Sequence, residues 1–176
     1  MKPTFAKFLK NRKGATAIEF AIVAPIFFMM IFIAGEFAIF LYKKNHLKHS
    51  MYVAARVLQT GEIQNSNDPV LDFQREICAV AKSSFDCTKV YFDVRTFDEI
   101  KQVQFPKVNV DQDLVPTNFT FKPGGPSKVT AMRLAAQFDF VTPYMDDFFG
   151  LDGKPMLVVG HSIARNEPYV CNKKKC

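Results

Sequence analysis

The sequence predicts an α+β fold in which one long N-terminal transmembrane helix precedes a small domain. Three observations lead to this prediction. Residues 15–42 are apolar apart from two glutamates, a helical spacing of apolar residues continues beyond this run, and the later β-rich segments are joined by turns rather than by helices. Strands joined in this way favour an antiparallel sheet. We expect that sheet to pack against the extended helix.

The apolar run is long enough to cross a membrane. About 20 apolar residues span the hydrocarbon core, and residues 15–42 exceed this length. A cleaved secretory signal would be shorter and would end in a small-x-small site, which is not found here. The basic N-terminus favours a cytoplasmic start, although Lys43, Lys44 and Lys48 on the other flank weaken this assignment. We therefore expect the C-terminal part outside the cytoplasm.

The helix is predicted to continue beyond the membrane. Apolar residues recur at intervals of three and four from Leu47 to Leu58, and Gly61 offers a C-terminal cap. A single helix from about residue 15 to residue 60 would be about 65–70 Å long. Pro25 lies inside it and is expected to bend it.

The remaining residues, 61–176, are predicted to form one α+β domain. Asp68 and Pro69 are typical of a helix start and predict a helix to about Lys82. Strands are predicted at 88–97, 128–141 and 156–165, with a long loop at 98–123. Alternating apolar and polar residues predict that the second strand is buried on one face only.

The positive charge is concentrated at the N-terminus. The chain carries a formal charge of +6, but the first fourteen residues contain five basic residues and no acid. Without them the charge falls to +1, and no RNA-binding signature is found in the rest. The composition therefore argues against nucleic-acid binding.

Four cysteines, Cys78, Cys87, Cys171 and Cys176, suggest disulfides in an exported domain. The short separations favour Cys78–Cys87 and Cys171–Cys176, although three pairings are formally possible. Free buried thiols are the alternative. A zinc site is disfavoured because no histidine lies at ligand spacing from either pair.

The residues of the domain do not form a catalytic pattern. His46 and His49 share a helix face without a visible third metal ligand. His161 and Ser162 are adjacent in a predicted strand, so they point to opposite faces and cannot act together as base and nucleophile. We expect no enzymatic activity, cofactor or metal; a membrane-anchored hydrolase is disfavoured.

The two glutamates of the apolar run need an explanation. Glu19 lies near the start of the run, where its carboxylate either reaches interfacial water or is neutralised by a partner. Glu36 lies near the outer end, where it could reach the headgroups or form a helix–helix contact.

The residues around Glu19 carry a family resemblance. Gly14 is followed by Ala15 and, at the fifth position, by Glu19 and then Phe20, which resembles the cleavage site of type IV prepilins. The stretch "GATAIEFAIVAPIF" looks like the TadE-like pseudopilins (minor pilins) of tight-adherence (Tad) pili. The later segments "FDVRTF", "FKPGGPSKVTAMRLAAQFDFVTPY" and "SIARNEPY" are also similar to family segments, in the same order.

This resemblance implies a processing step. A membrane prepilin peptidase would cut between Gly14 and Ala15 and remove residues 1–14 as a leader. The new α-ammonium group of Ala15 would pair with Glu19 of the same or a neighbouring subunit, because an unpaired charge in the bilayer costs about 2.5–3.5 kcal/mol. Phe20 is a candidate for the same helix assembly, and Glu36 is a candidate for it only if it forms the helix–helix contact described above.

The resemblance also implies a place and partners. The chain would lie in the bacterial inner membrane through residues 15–42, with a pilin-like domain in the periplasm or incorporated in the pilus. Its partners would be other minor pilins, the major pilin and proteins of the assembly platform. The alternative is a single-pass periplasmic sensor or binding domain with an uncleaved signal anchor.

Overall fold

The computed structural model describes residues 14–142, 145–148 and 154–171. The contacts divide the chain into two compact units, residues 1–39 and 40–176. Helix α1, Ala15–Gln59, is continuous and contributes its first part to the first unit and its last part to the second. This is the long helix that the apolar run and the spacing after it predict.

The second unit continues with short helices and three strands. Helix α2 is Glu62–Asn65 and α3 is Pro69–Ala81. Strand β1 is Val90–Phe97, β2 is Val129–Phe138, α4 is Met145–Phe148 and β3 is Met156–Arg165. Short 3-10 turns occupy Cys87–Lys89 and Ile100–Gln102. The α+β class is confirmed.

The three strands form one antiparallel sheet in the order β1-β2-β3. In its register Asp93 stands opposite Arg133, and Arg133 stands opposite His161. Side chains alternate between the faces of a strand, so these three residues lie in one row on one face. We call this the outer face.

The inner face of the sheet packs on the second part of α1. Its buried side chains include Leu47, Met51, Ala54 and Leu58. Phe40 contacts Phe138 at the end of β2 with ring centroids 5.5 Å apart, whereas the amide of Glu167, after β3, donates to the carbonyl of Gln59 at 3.0 Å. From residue 40 to residue 59 the helix therefore runs along the sheet, antiparallel to β2 and parallel to β3.

Strand β2 is buried on both faces, so the prediction of a half-buried strand was wrong. Nearly every residue from Val129 to Phe138 is buried. The cause is the loop 98–123, whose Phe105 and Phe119 rings lie over Arg133 on the outer face. The charged side chain of Arg133 on this face of the strand is therefore covered by the loop and is not solvated.

Helix α3 begins as predicted. The side chain of Asp68 accepts a hydrogen bond from the amide of Leu71, and Pro69 follows the cap. Phe73 is fully buried against Phe92 and Phe121, with ring centroids 5.2 and 5.3 Å away. The predicted apolar face of α3 therefore completes the core.

The predicted Cys78–Cys87 disulfide is present and joins α3 to the turn before β1. The predicted Cys171–Cys176 pair involves Cys176, which lies outside the described residues. That pairing stays a prediction.

Candidate functional site

The first part of α1 presents an apolar surface nearly all round. Phe20 is 68% exposed, and a similar exposure is shared by Ile18, Ile22, Val23, Ile26, Phe27, Met30 and Phe32. The helix is long and apolar enough to cross a membrane. A helix with this surface is suited to lipid or to other apolar helices. The structure thus indicates membrane anchoring through the N-terminal helix.

The predicted processing site lies at the start of this helix. Helix α1 begins at Ala15, directly after the exposed Gly14. No heavy atom lies within 4 Å of the position that a Cβ on Gly14 would take. Residues 1–13 of the predicted leader lie outside the described residues.

Glu19 is exposed and lies four residues after Ala15, one turn along the helix. Side chains and termini at this spacing share one helix face. A positive amine at Ala15 would therefore lie within reach of the carboxylate. Glu36, in contrast, is only 4% exposed. The pairing roles of both glutamates stay predictions.

A second buried carboxylate, Asp93, lies in the sheet with a full set of partners. Its oxygens accept hydrogen bonds from the Arg95 Nε at 3.1 Å and from the Arg133 Nε at 2.9 Å. The amide and hydroxyl of Thr120 donate to the same carboxylate at 2.9 and 3.1 Å. A buried charge is tolerated when it is paired and hydrogen-bonded in this way. The cluster ties the loop 98–123 to the sheet.

Arg133 completes this cluster. It is 2% exposed, and its guanidinium lies between the Phe105 and Phe119 rings, 5.1 and 4.7 Å from their centroids. Its Nη1 donates to the carbonyl of Pro106 at 2.7 Å. A flat cation fits between aromatic faces, so the arrangement is structural packing around a neutralised charge.

His161 lies beside this cluster on β3. Its ring is 5.5 Å from that of Phe105. Burial lowers the pKa of His161 below its ordinary value, and the positive charge of Arg133 lowers the pKa further. The imidazole is therefore held in its neutral form at neutral pH. Ser162 points to the opposite face, as predicted from their adjacency.

The segment "RNEPY", residues 165–169, forms a clamp that the sequence did not reveal. The Asn166 side-chain amide donates to the carbonyls of Pro123 and Gly125 at 3.2 and 2.9 Å. The Tyr169 hydroxyl donates to the carbonyl of Gly124 at 3.2 Å. With the Glu167 bond to α1, these contacts join the end of the helix, the Gly-Gly-Pro turn and the chain after β3. We call them the C-terminal clamp.

Two glycines make this clamp sterically possible. Gly61 and Gly124 have φ angles of 81° and 68°, in the left-handed region that favours glycine. A Cβ on Gly61 would overlap the ring of Tyr169, and one on Gly124 would overlap the side chain of Thr96. The sequence therefore showed the glycines and the turn of the clamp. It did not show which side chains these glycines contact.

The histidines of α1 make ordinary contacts. The Nε2 of His46 lies 3.2 Å from the hydroxyl oxygen of Ser83, and its ring is stacked near Tyr42. Among the described residues, no group of three or more metal-binding side chains is found.

A comparison with protein families finds a likeness in the first part of the chain. The family described as TadE-like protein matches residues 14–56. This segment is similar to that family, and we call it the TadE-like segment. No curated protein and no solved structure matches the chain.

The TadE-like segment coincides with the features described above. It begins at Gly14 and includes the exposed apolar helix with Glu19, and it ends close to the end of α1. The match indicates a membrane-anchored protein related to the Tad pilus. Because it stops at residue 56, the resemblance of the later segments stays a prediction.

Proposed function

We propose that the chain is a non-enzymatic minor pilin, or pseudopilin, of a Tad-type pilus. It would be cut by a prepilin peptidase between Gly14 and Ala15 and would then act in the assembly or initiation of the pilus. The observation that supports this proposal most strongly is the TadE-like segment itself. It contains an exposed glycine, a helix start and a glutamate one turn later at the head of an exposed apolar helix.

The mechanism follows from the chemistry of that segment. Cleavage would create an α-ammonium group at the N-terminus of α1, and Glu19 would neutralise it within or between subunits. A charge pair in an apolar surrounding is far more favourable than either charge alone. Subunits would then bundle through residues 15–42, with the domain on the periplasmic side of the inner membrane.

Processing can be tested directly by the mass of the membrane-extracted protein. We expect the mature chain to begin at Ala15 in cells that contain the pilus system. The variant Gly14→Val should stay uncut, because a branched side chain crowds the scissile carbonyl. Gly35→Val is the matched control, since open space surrounds Gly35 and its change should leave cleavage normal. An intact Met1 in the wild-type protein would instead favour the uncleaved sensor or binding domain.

The role of Glu19 can be tested separately. Glu19→Gln keeps the size of the side chain and removes its charge, so cleavage and membrane insertion should persist while co-purification with other pilins falls. Glu62→Gln changes an exposed acid outside the apolar run and serves as the control. Equal recovery of partners with both variants would refute the pairing role.

A further inference from the structure

Strand β3 forms an edge of the sheet, and the hydrogen-bond pattern shows which of its groups face outward. Val94 of β1 exchanges hydrogen bonds with the segment 120–122, through Thr120 at 2.7 Å and Lys122 at 2.8 Å. The backbone N–H and C=O groups of the even-numbered residues of β1 therefore point away from β2. Because bonding alternates along antiparallel strands, the even residues of β2 and β3 bond to each other. The amide of Asn166 donates to the carbonyl of Lys128 at 2.8 Å, which again joins two even-numbered residues.

The odd residues of β3 consequently direct their amides and carbonyls away from the sheet. They are Leu157, Val159, His161, Ile163 and Arg165. Within the described residues, no hydrogen bond reaches the outward peptide groups from 157 to 163. His161 is exposed as a residue, although its ring is partly desolvated beside Phe105. Ile163 is 49% exposed. The two edges of the sheet thus differ, since the β1 edge is covered at Val94 and the β3 edge is open.

The open edge lacks the features that usually protect such edges. Natural edge strands are guarded by lysine, proline, bulges or short length. Strand β3 has ten residues in unbroken register with β2 and contains no lysine, acid or proline. Its only cation is the terminal Arg165. A long and unguarded edge is a template for another strand.

We propose that the β3 edge accepts an extended strand from a second, different polypeptide of the pilus machinery. The added strand would hydrogen-bond to the outward groups of residues 157–165. Its side chains on the outer face would lie beside Val159 and Ile163, so apolar or β-branched residues are expected there. The inference rests on the proposed function, because that function supplies the assembly in which the partner occurs.

A second copy of this chain fits the edge poorly. Two identical β3 edges pair by a two-fold axis perpendicular to the sheet, which sets the strands antiparallel. Since residues 40–59 of α1 run parallel to β3, the two helices would also become antiparallel. Residue 40 would then lie at opposite ends of the pair in the two copies. This arrangement does not suit two copies that are anchored in one membrane in the same orientation. This geometry disfavours the pairing of two β3 edges, and we therefore assign the added strand to a different chain.

Hydrogen exchange at single-residue resolution tests this proposal on the full-length chain. One sample is the chain expressed alone, and the other is extracted in mild detergent from cells that express the whole pilus system. We expect the amides of residues 159, 161 and 163 to exchange about tenfold or more slowly in the second sample. The even amides bond to β2 in both samples and should change little.

Two variants of one residue provide the matched control. Ile163→Pro removes an outward amide without removing a bond to β2, so the domain should still fold, whereas the added strand should be lost. Ile163→Thr keeps the amide and should keep the protection. If Ile163→Pro lowers the midpoint of urea unfolding relative to the wild type, Ile163→Lys replaces it. A lysine on the edge opposes strand addition without changing the backbone.

The alternating pattern decides the outcome. Protection of odd amides that disappears in the proline or lysine variant supports the proposal. No added protection, or equal protection of odd and even amides, overturns it. Protection in the chain expressed alone would indicate self-pairing and would also overturn it. The N-terminal mass of the same samples separates the two hypotheses, because cleaved protein without edge protection contradicts only the edge proposal.

Discussion

The apolar first part of α1 and the folded domain each hold a carboxylate among apolar residues, but in opposite ways. Asp93 is completely buried in the domain and receives hydrogen bonds from two arginines and a threonine of the same chain. Glu19 is exposed on the helix, and its predicted partner is an amine created by processing. The carboxylate of the domain is thus neutralised within the chain, whereas neutralisation of Glu19 by the amine of Ala15 stays a prediction.

The same contrast appears along one continuous helix. Residues 40–59 have a stripe of buried apolar residues against the sheet, with exposed Tyr52 and Arg56 on the other side. Residues 16–35 are apolar nearly all round and mostly exposed. A stripe needs one protein surface, and an apolar cylinder needs lipid or other helices on all sides. Amphipathicity rather than helix propensity therefore marks where the folded unit begins.

The largest expected effect comes from breaking the buried charge cluster. Asp93→Ala leaves the Arg133 guanidinium buried without its carboxylate and should lower the free energy of unfolding by about 3–5 kcal/mol. Glu19→Ala, outside the domain, should change it by less than about 0.5 kcal/mol. Urea unfolding of the detergent-solubilised protein measures both values.

The double variant Asp93→Leu with Arg133→Met is the control for this test. It removes both charges and should recover much of the lost stability, because apolar replacement of a buried pair is often neutral. Similar losses for Asp93→Ala and Glu19→Ala would break the contrast between the two regions.

A slightly smaller effect distinguishes the two halves of α1. Leu47 is 1% exposed and Ile22 is 66% exposed. Leu47→Ala should cost about 2–5 kcal/mol of domain stability because it leaves a cavity. Ile22→Ala should cost less than about 0.5 kcal/mol. Thermal unfolding followed by near-ultraviolet circular dichroism compares them, and equal costs would show that the first half is part of the folded core.

The disulfide should contribute next in size. Replacing Cys78 and Cys87 by serine opens a short loop and should cost about 2–3 kcal/mol. The measurement is urea unfolding with and without reductant. The wild-type domain should lose this stability on reduction, and the double variant should be insensitive. A wild-type midpoint that does not move on reduction would contradict a stabilising role.

The smallest effect concerns pH. Because the pKa of His161 is lowered in the folded domain, the unfolded chain binds a proton more readily. The stability from this residue is therefore present above about pH 6.5, the ordinary histidine value, and is lost as the pH falls below it. His161→Gln should show a shallower loss of stability between about pH 7 and pH 5 than the wild type. Identical slopes would contradict this assignment.

Much of the fold followed from periodicity and from local signals. The end of α1, the start of α3 at Asp68 and Pro69, and the bounds of β3 agree with the predictions to within a residue or two. These features depend on caps and on spacing along the chain. The Gly14 and Glu19 motif was equally visible, because its chemistry requires only neighbouring residues.

The parts that were missed depend on distant partners. The loop 98–123 has little regular structure and is held by side-chain to backbone bonds, such as that from Asn118 to Lys107 at 2.6 Å. Its cover over Arg133 could not be inferred from the alternation in β2. The sequence nevertheless contained an indication of a charged pair, since Asp93 and Arg133 each interrupt an apolar strand. Only the register places them opposite each other.

The C-terminal clamp has a mechanical consequence for the last part of α1, residues 40–59. A pull along α1 reaches Gln59, where the Glu167 amide holds the helix end, and Asn166 passes the load to β2 through Lys128. The bonds of the sheet lie across the strands and would be loaded in shear, with many rows sharing the force. A pull on residues 40–59 would thus be spread over the rows of the sheet instead of detaching the end of the helix first.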